Sequence, residues 1–146
     1  MSSFASSMFG DTLVGKSGNV NTAEALAGKV VGIYFSAHWC GPCRGFTPQL
    51  AQSYKDIVAT GRAFEIIFVS SDRDENAFNE YYGEMPWLAL PYADRARKDS
   101  LSKKFKVSGI PSFVILDEEG KVITTEGRKA ISADPQGAEF PWKPPT

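Results

Sequence analysis

The chain contains the stretch Val30-Val31-Gly32-Ile33-Tyr34-Phe35-Ser36-Ala37-His38-Trp39-Cys40-Gly41-Pro42-Cys43. Its first seven residues are mostly β-branched, aromatic or small, which is typical of a strand buried on both faces of a sheet. Over 41–60 the apolar residues recur with a helical period instead. The sequence therefore predicts a buried strand that passes directly into a helix. Pro48 is expected to kink that helix or to remove one of its hydrogen bonds.

The rest of the chain alternates between strand and helix in the same way. The pattern predicts strands over 64–71 and 112–116, a hairpin strand over 121–124, short strand pieces over 11–21, and helices from Asp72 or Asp74 to Tyr82 and over 94–105. Residues 85–91 are expected to be irregular because of their prolines. This alternation indicates an α/β fold with a central sheet. We expect a single domain over 10–146 after a flexible N-terminus over 1–9.

Composition excludes several classes of protein. The 146 residues carry a formal net charge of -1, so no basic footprint indicates a nucleic acid or an anionic membrane as the partner. Residues 1–10 hold no basic residue and no continuous apolar core, and no apolar run reaches the ~20 residues of a membrane span, so we expect neither a secretory signal nor a membrane segment. The 2 cysteines exclude a disulfide-stapled scaffold and a four-cysteine metal site within one chain.

The two cysteines form a C-x-x-C motif at the predicted junction of strand and helix. Free N–H groups and the positive end of the helix dipole favour a thiolate on Cys40, which makes it the expected nucleophile. Cys43 lies one helical turn later and could attack a mixed disulfide at Cys40. Two other interpretations are half of a zinc site and a pair of inert small side chains, but the chain offers only His38 nearby as a further ligand.

A second element, Gly109-Ile110-Pro111-Ser112, precedes the predicted strand over 112–116. Taken alone, its proline could be an ordinary trans residue at the start of a strand, because most X–Pro bonds are trans.

The motif and Ile110-Pro111 together resemble the thioredoxin superfamily, and the surrounding segments resemble its nucleoredoxin and tryparedoxin branch. These segments are Leu26-Ala27-Gly28-Lys29, Tyr34-Phe35-Ser36-Ala37, Arg44-Gly45-Phe46-Thr47-Pro48-Gln49-Leu50, Val69-Ser70-Ser71-Asp72, Met85-Pro86-Trp87-Leu88-Ala89-Leu90-Pro91-Tyr92 and Phe140-Pro141-Trp142. The resemblance covers residues 12–142. It implies a thioredoxin fold, with a central mixed β-sheet flanked by helices and an N-terminal strand extension.

The resemblance also implies the roles of the site residues. Cys40 is the nucleophile and Cys43 the resolving cysteine, and Pro111 is a cis proline beside the disulfide. The substrate-binding residues that it implies are Trp39, Gly41, Pro42, Ile110 and Pro111. No metal site and no bound cofactor is implied. Reducing equivalents are expected from NADPH through a thioredoxin reductase.

Three departures from the branch are visible in the sequence. The spacer Gly41-Pro42 is the thioredoxin version, where the branch usually has Pro-Pro. Tyr34 occupies the position of the buried Asp of thioredoxins, which leaves the proton acceptor for Cys43 unassigned, with Asp72 as one candidate and a helix N-cap as its other interpretation. Tryparedoxins carry a Trp where Ser71 stands, which favours the nucleoredoxin side.

The sequence thus predicts a monomeric, cytoplasmic protein-disulfide reductase. The expected partners are disulfide-containing protein substrates and a reductase or a low-molecular-weight thiol donor, with no nucleic acid and no membrane. Two alternatives stay open: a redox-regulated partner-binding module of nucleoredoxin type, and a trypanothione-linked tryparedoxin. The nucleus and a specialised organelle are the alternative compartments for the protein.

Overall fold

A seven-stranded mixed sheet forms the centre of the molecule in a computed structural model that describes residues 4–142. The strand order is β2-β1-β5-β4-β3-β6-β7. The central strand β3 pairs in parallel with β4 and antiparallel with β6. The strands are β1 Thr12–Gly15, β2 Gly18–Asn21, β3 Val30–Ser36, β4 Phe64–Ser70, β5 Leu88–Ala89, β6 Ser112–Leu116 and β7 Val122–Thr124. The hairpin β1–β2 is the predicted N-terminal extension of the sheet.

Helices cover both faces of the sheet. They are α1 Phe4–Phe9, α2 Thr22–Leu26, α3 Gly41–Ala59, α4 Glu75–Tyr82, α5 Arg95–Lys104 and α6 Gly127–Ala133. One core cluster joins α3, α4 and α6 to side chains such as Tyr34 and Phe68 of the sheet. The other joins α1, α2 and α5 to alternate positions such as Ile33 and Val69. All seven residues of β3 and all seven of β4 are buried, as expected for strands covered on both faces. The predicted mixed sheet flanked by helices is confirmed.

Four short elements differ from the sequence-based expectation. Residues 1–9 were expected to be flexible, but residues 4–9 form α1, whose Ala5 and Phe9 are buried; residues 1–3 lie outside the described part. β5 occupies two positions of the proline-rich stretch 85–91, and neither α2 nor α6 was predicted. Elements of two to seven residues contain too few turns or alternations to show a period, so packing rather than pattern defines them.

The end of the sheet remote from the C-x-x-C motif holds both ends of the described chain. Gly120 in the β6–β7 turn lies against Phe4, because a Cβ built on this glycine would meet the Phe4 ring. The rings of Phe140 and Trp142 pack at 5.3 and 6.0 Å from the ring of Phe64, the first residue of β4. Among residues 4–142, no helix combines the length and apolar character that spanning a membrane requires.

Candidate active site

Cys40 and Cys43 form a disulfide at the junction of β3 and α3. Cys40 is the N-cap of α3, and its sulfur accepts a hydrogen bond from the Cys43 N–H at 3.2 Å. Pro42 occupies the first turn of the helix, where a missing N–H leaves no intrahelical bond unmade. The Cα atoms of the two cysteines are 5.2 Å apart. The predicted passage from buried strand to helix through this motif is confirmed, and α3 continues through Pro48.

The two sulfurs occupy different environments. Cys43 is fully buried, whereas Cys40 is 6% exposed and lies at the helix N-terminus. When the disulfide opens, the N–H that now points at Cys40 Sγ stabilises negative charge there, and the helix dipole adds to this. The arrangement can therefore hold a nucleophilic thiolate at the helix N-terminus, where Cys40 is slightly exposed, and a second, fully buried thiol one turn further along the helix.

The Ile110–Pro111 peptide bond is cis, as the family resemblance implied. Ile110 packs against the cysteine pair, and its carbonyl oxygen lies 3.9 Å from Cys40 Sγ. The Pro111 carbonyl accepts a hydrogen bond from Arg128 Nη1 at 3.2 Å. The loop that precedes β6 is thus held directly over the disulfide, where main-chain groups next to the sulfur can meet an extended substrate.

Trp39 is 53% exposed beside the disulfide. Its indole Nε1 donates a hydrogen bond to the Ser71 carbonyl at 3.0 Å, and the Arg73 guanidinium lies 5.6 Å from its ring centre. Gly41 is exposed, and a Cβ built on it would meet nothing within 4 Å. An apolar surface with open space around the motif suits the docking of a protein substrate.

A groove of about 630 Å³ begins at the motif and runs between α3 and α6. Pro42 and Pro111 line its upper end, and Phe46, Gln49, Arg128 and Lys129 line the rest. The structure therefore gathers all seven residues named from the sequence into one region: Cys40 and Cys43, the groove prolines Pro42 and Pro111, and Trp39, Gly41 and Ile110 beside them.

A network of hydroxyl groups under the motif was not anticipated from the sequence. The Tyr34 hydroxyl lies 3.2 Å from the Cys43 carbonyl oxygen and 2.6 Å from Thr47 Oγ1. Thr47 Oγ1 in turn lies 2.5 Å from the Tyr81 hydroxyl, which lies 2.7 Å from Ser36 Oγ. Burial raises the pKa of Tyr34 well above its ordinary range, so this side chain stays a neutral phenol. No short motif announces such a network, because its members come from three elements.

The carboxylate of Asp72, the candidate proton acceptor, accepts hydrogen bonds from the loop before the motif and from the end of β4. Its Oδ1 accepts the His38 backbone N–H at 2.7 Å, and its Oδ2 accepts the Ser70 hydroxyl at 2.6 Å. The helix cap considered for it belongs to Asp74, which accepts the Ala77 N–H. The hydrogen bonds of the Asp72 carboxylate thus hold the chain just ahead of Trp39.

Within residues 4–142, no group of three or more His, Cys, Asp or Glu side chains is placed to hold a metal ion.

Comparison with known proteins gives the site its family context. A family model described as thioredoxin-like matches residues 28–122. Nucleoredoxin of Danio rerio is 51% identical over 122 residues, which is 84% of this chain and 29% of that protein. Tryparedoxin of Trypanosoma brucei brucei is 46% identical over 145 residues, which is 97% of this chain and 99% of that protein. The chain therefore spans between about a fifth and a third of the nucleoredoxins that it matches and nearly the whole of tryparedoxin.

Solved structures similar to this chain include tryparedoxins. Tryparedoxin from Trypanosoma brucei superposes with a TM-score of 0.85 at 44% identity, covering 92% of each chain. Tryparedoxin II complexed with glutathionylspermidine also gives a TM-score of 0.85, at 39% identity, covering 92% of this chain and 93% of that one. The fold, the matched family model, the relatives of close to half identity and the C-x-x-C disulfide all indicate the same family. The chain belongs to the thioredoxin-like family, with the nucleoredoxins and tryparedoxins among its relatives.

Proposed function

We propose that the protein is a thiol–disulfide oxidoreductase that reduces disulfides in protein substrates. The observation that carries this proposal is the Cys40–Cys43 bridge at the N-terminus of α3, directly beneath the cis Ile110–Pro111 loop. A nucleophilic sulfur, a resolving sulfur one turn away and an exposed main chain beside them are the parts that disulfide exchange requires.

The exchange proceeds in two displacements. The Cys40 thiolate attacks a substrate disulfide, so that a Cys40–substrate bond forms and one substrate thiolate leaves. Cys43, as thiolate, then attacks the Cys40 sulfur and expels the second substrate thiolate. The substrate gains two electrons, and the Cys40–Cys43 pair is left as the disulfide seen here. Trp39, Gly41 and Pro42 form the surface on which the substrate docks.

We propose further that NADPH and a thioredoxin reductase recycle the disulfide. The support is the thioredoxin-type spacer Gly41-Pro42. The alternative donor is a low-molecular-weight thiol, which is favoured by the similarity to a tryparedoxin complexed with glutathionylspermidine. Insulin reduction coupled to each donor, at matched reducing equivalents, separates the two. The reductase proposal expects faster turnover with NADPH and thioredoxin reductase than with glutathionylspermidine, and the reverse order would overturn it.

The test of the function is a trapping series. Cys43→Ser retains the attacking sulfur but loses resolution, so it should accumulate mixed disulfides with substrate proteins. Cys40→Ser should accumulate none and should show no insulin reduction. Unchanged catalytic turnover by Cys43→Ser would contradict the two-cysteine mechanism.

A partner-binding module is the second candidate function, favoured by the half-exposed Trp39. It predicts partners that bind equally well to the double variant Cys40→Ser/Cys43→Ser and to the wild type. The reductase function predicts that capture is lost with the sulfurs, so the same series discriminates between the two.

A further inference from the structure

Four buried hydroxyl groups run in a chain beneath the turn that carries Cys43. Tyr34 and Ser36 belong to β3, Thr47 to α3 and Tyr81 to α4, and each of these residues is at most 2% exposed. Their successive oxygen–oxygen distances are 2.6 Å from Tyr34 to Thr47, 2.5 Å from Thr47 to Tyr81 and 2.7 Å from Tyr81 to Ser36. The chain therefore joins three elements through groups that water does not reach.

Donors and acceptors in this chain balance when it ends at the Cys43 carbonyl. The Thr47 hydroxyl donates to that carbonyl oxygen at 2.9 Å. Its own oxygen can accept from both tyrosine hydroxyls, and Ser36 can donate to the oxygen of Tyr81. Each hydroxyl hydrogen then has an acceptor, and the network ends in the hydrogen bond from Thr47 to the Cys43 carbonyl oxygen.

Tyr81 is the member through which α4 reaches the site. Its hydroxyl bonds to Thr47 and Ser36, and its ring stacks on the His38 imidazole with centroids 5.4 Å apart. The Tyr81 ring also makes an edge-to-face contact with the Phe68 ring, with centroids 5.4 Å apart. Tyr81 thus connects the loop ahead of the motif to the helix behind it.

We propose that Tyr81 is a positioning residue for the resolving step, acting through Thr47 on the turn that carries Cys43. The proposal rests on the proposed disulfide exchange. While the Cys40–Cys43 bond is intact, the bond itself holds the two residues together. In the mixed disulfide that restraint is absent, and the hydroxyl chain, which contains no sulfur contact, keeps Cys43 within reach of Cys40. The network raises the effective concentration of the resolving thiolate.

Reaction of the reduced protein with Ellman's reagent, an aromatic disulfide, resolves the two displacements. Attack by the Cys40 thiolate forms a Cys40–thionitrobenzoate disulfide and releases one coloured thiolate. Attack by the Cys43 thiolate on Cys40 closes the protein disulfide and releases the second. The reagent is reduced by two electrons and the protein is oxidised by two. In a stopped-flow experiment, the first colour phase, dependent on reagent concentration, reports attack, and the second, independent of it, reports resolution.

Tyr81→Phe removes the hydroxyl and keeps the ring, its stack and its packing. The matched control is Tyr82→Phe on the same helix, whose buried hydroxyl donates to the backbone carbonyls of Val14 and Trp87 away from the motif. We expect Tyr81→Phe to slow the second phase about tenfold, the effect of losing one hydrogen bond to a positioned group, with the first phase within twofold. Tyr82→Phe should change neither phase, although urea unfolding should show a comparable loss of stability in both variants.

Thr47→Val gives the second line of the test. If Tyr81 acts through Thr47, the double variant Tyr81→Phe/Thr47→Val should resolve no more slowly than Thr47→Val alone, because the two changes interrupt one path. Multiplying rate effects in the double variant would overturn the proposed route. Equal slowing of both phases by Tyr81→Phe, or identical behaviour of the Tyr81 and Tyr82 variants, would overturn the positioning role. Release of only one coloured thiolate per wild-type protein, with no protein disulfide closed, would instead overturn the proposed function, so the two failures are distinguishable.

Discussion

At the residue scale, the two cysteines have the same side chain but occupy different positions in the helix, and the positions make their reactivities differ. Cys40 caps a helix of 19 residues and borders the surface, whereas Cys43 lies within the first turn and is fully buried. The same N–H that bonds to Cys40 Sγ in the disulfide is available to a Cys40 thiolate after reduction.

This asymmetry predicts selective alkylation of the reduced protein. At pH 7 iodoacetamide should modify Cys40 at least tenfold faster than Cys43, because Cys40 carries more thiolate and is more accessible. Peptide mass mapping against reaction time measures both rates, and the single variants Cys40→Ser and Cys43→Ser are the controls. Equal rates, or faster modification of Cys43, would show that the assignment of Cys40 as the nucleophile is wrong.

Glu65 is a charged residue in an unusual place for its type. It is 8% exposed at the start of β4, where the short β5 does not extend to pair with the backbone. Its Oε1 accepts the Ile66 N–H and the Tyr54 hydroxyl, each at 2.9 Å. Burial raises the pKa of this carboxyl, while these two hydrogen bonds and the charge of Lys29 lower it to a smaller extent.

The raised pKa of Glu65 predicts how stability depends on pH. Above the ordinary carboxyl pKa, near ~4.3, the folded state binds more protons at Glu65 than the unfolded state, so the contribution of this residue to stability falls as pH rises through the raised pKa. Glu65→Gln keeps an acceptor for both hydrogen bonds and removes the charge. Urea unfolding at pH 5 and pH 8 should show the variant gaining stability relative to the wild type at the higher pH. A difference that is constant across this range would contradict the assignment.

At the scale of the element, β3 contains a glycine for a steric reason. A Cβ built on Gly32 would overlap the ring of Phe113 on the neighbouring β6, and the next contact, at 3.5 Å, is Ile66. The close approach of an aromatic ring to the backbone of β3 fills the core that supports the motif. This position therefore excludes a side chain.

Gly32→Ala should lower the free energy of unfolding by about 1–3 kcal/mol, the range for forcing an added methyl group into a packed core. Gly45→Ala is the control, because this glycine lies in α3 and a Cβ there meets nothing within 4 Å. Because alanine is the better helix former, Gly45→Ala should raise the free energy of unfolding by about 0.5–1 kcal/mol. Denaturant titration of both variants measures the contrast, and a Gly32→Ala protein as stable as the wild type would show that Phe113 moves freely.

The elements that the sequence predicts well are those with a long, consistent pattern. Uninterrupted apolar residues predict β3 and β4, and the helical stripe of Phe46, Leu50 and Ile57 predicts α3. Helix α6 has 7 residues and no side-chain cap, and α1 depends on the burial of Phe9, so neither has a local signature. The sulfur positions were predictable because both lie in one motif. The role of Tyr81 was not, since its contacts join residues up to 45 positions apart.

At the scale of the whole molecule, the Cys40–Cys43 disulfide lies at one end of the sheet, and the aromatic residues of the described C-terminus pack at the other end. Trp142 packs on Phe64 and donates from Nε1 to Asp134 Oδ2 at 3.0 Å, whereas Trp39 stands beside the disulfide. The two tryptophans are therefore expected to serve separate properties of the protein.

Substitution of each tryptophan should separate stability from turnover. Trp142→Ala should cost about 1–3 kcal/mol of stability through lost apolar burial, with insulin reduction per folded molecule unchanged. Trp39→Ala, at a half-exposed position, should change stability by less than about 0.5 kcal/mol and reduce turnover severalfold. Urea titration and the insulin assay on the same preparations measure both effects. A matching loss of activity in the two variants would show that the ends of the sheet are coupled.

The placement of Phe4 against the β6–β7 turn and of Trp142 against the start of β4 has a practical consequence. Phe4 and Trp142, the first and last described residues, both lie on the side of the molecule away from the sulfurs. Neighbouring modules in a tandem array, an affinity tag or a tether to a solid support would therefore leave the disulfide open to incoming proteins. An attachment at either described end would then lie at the opposite end of the sheet from the Cys40–Cys43 disulfide.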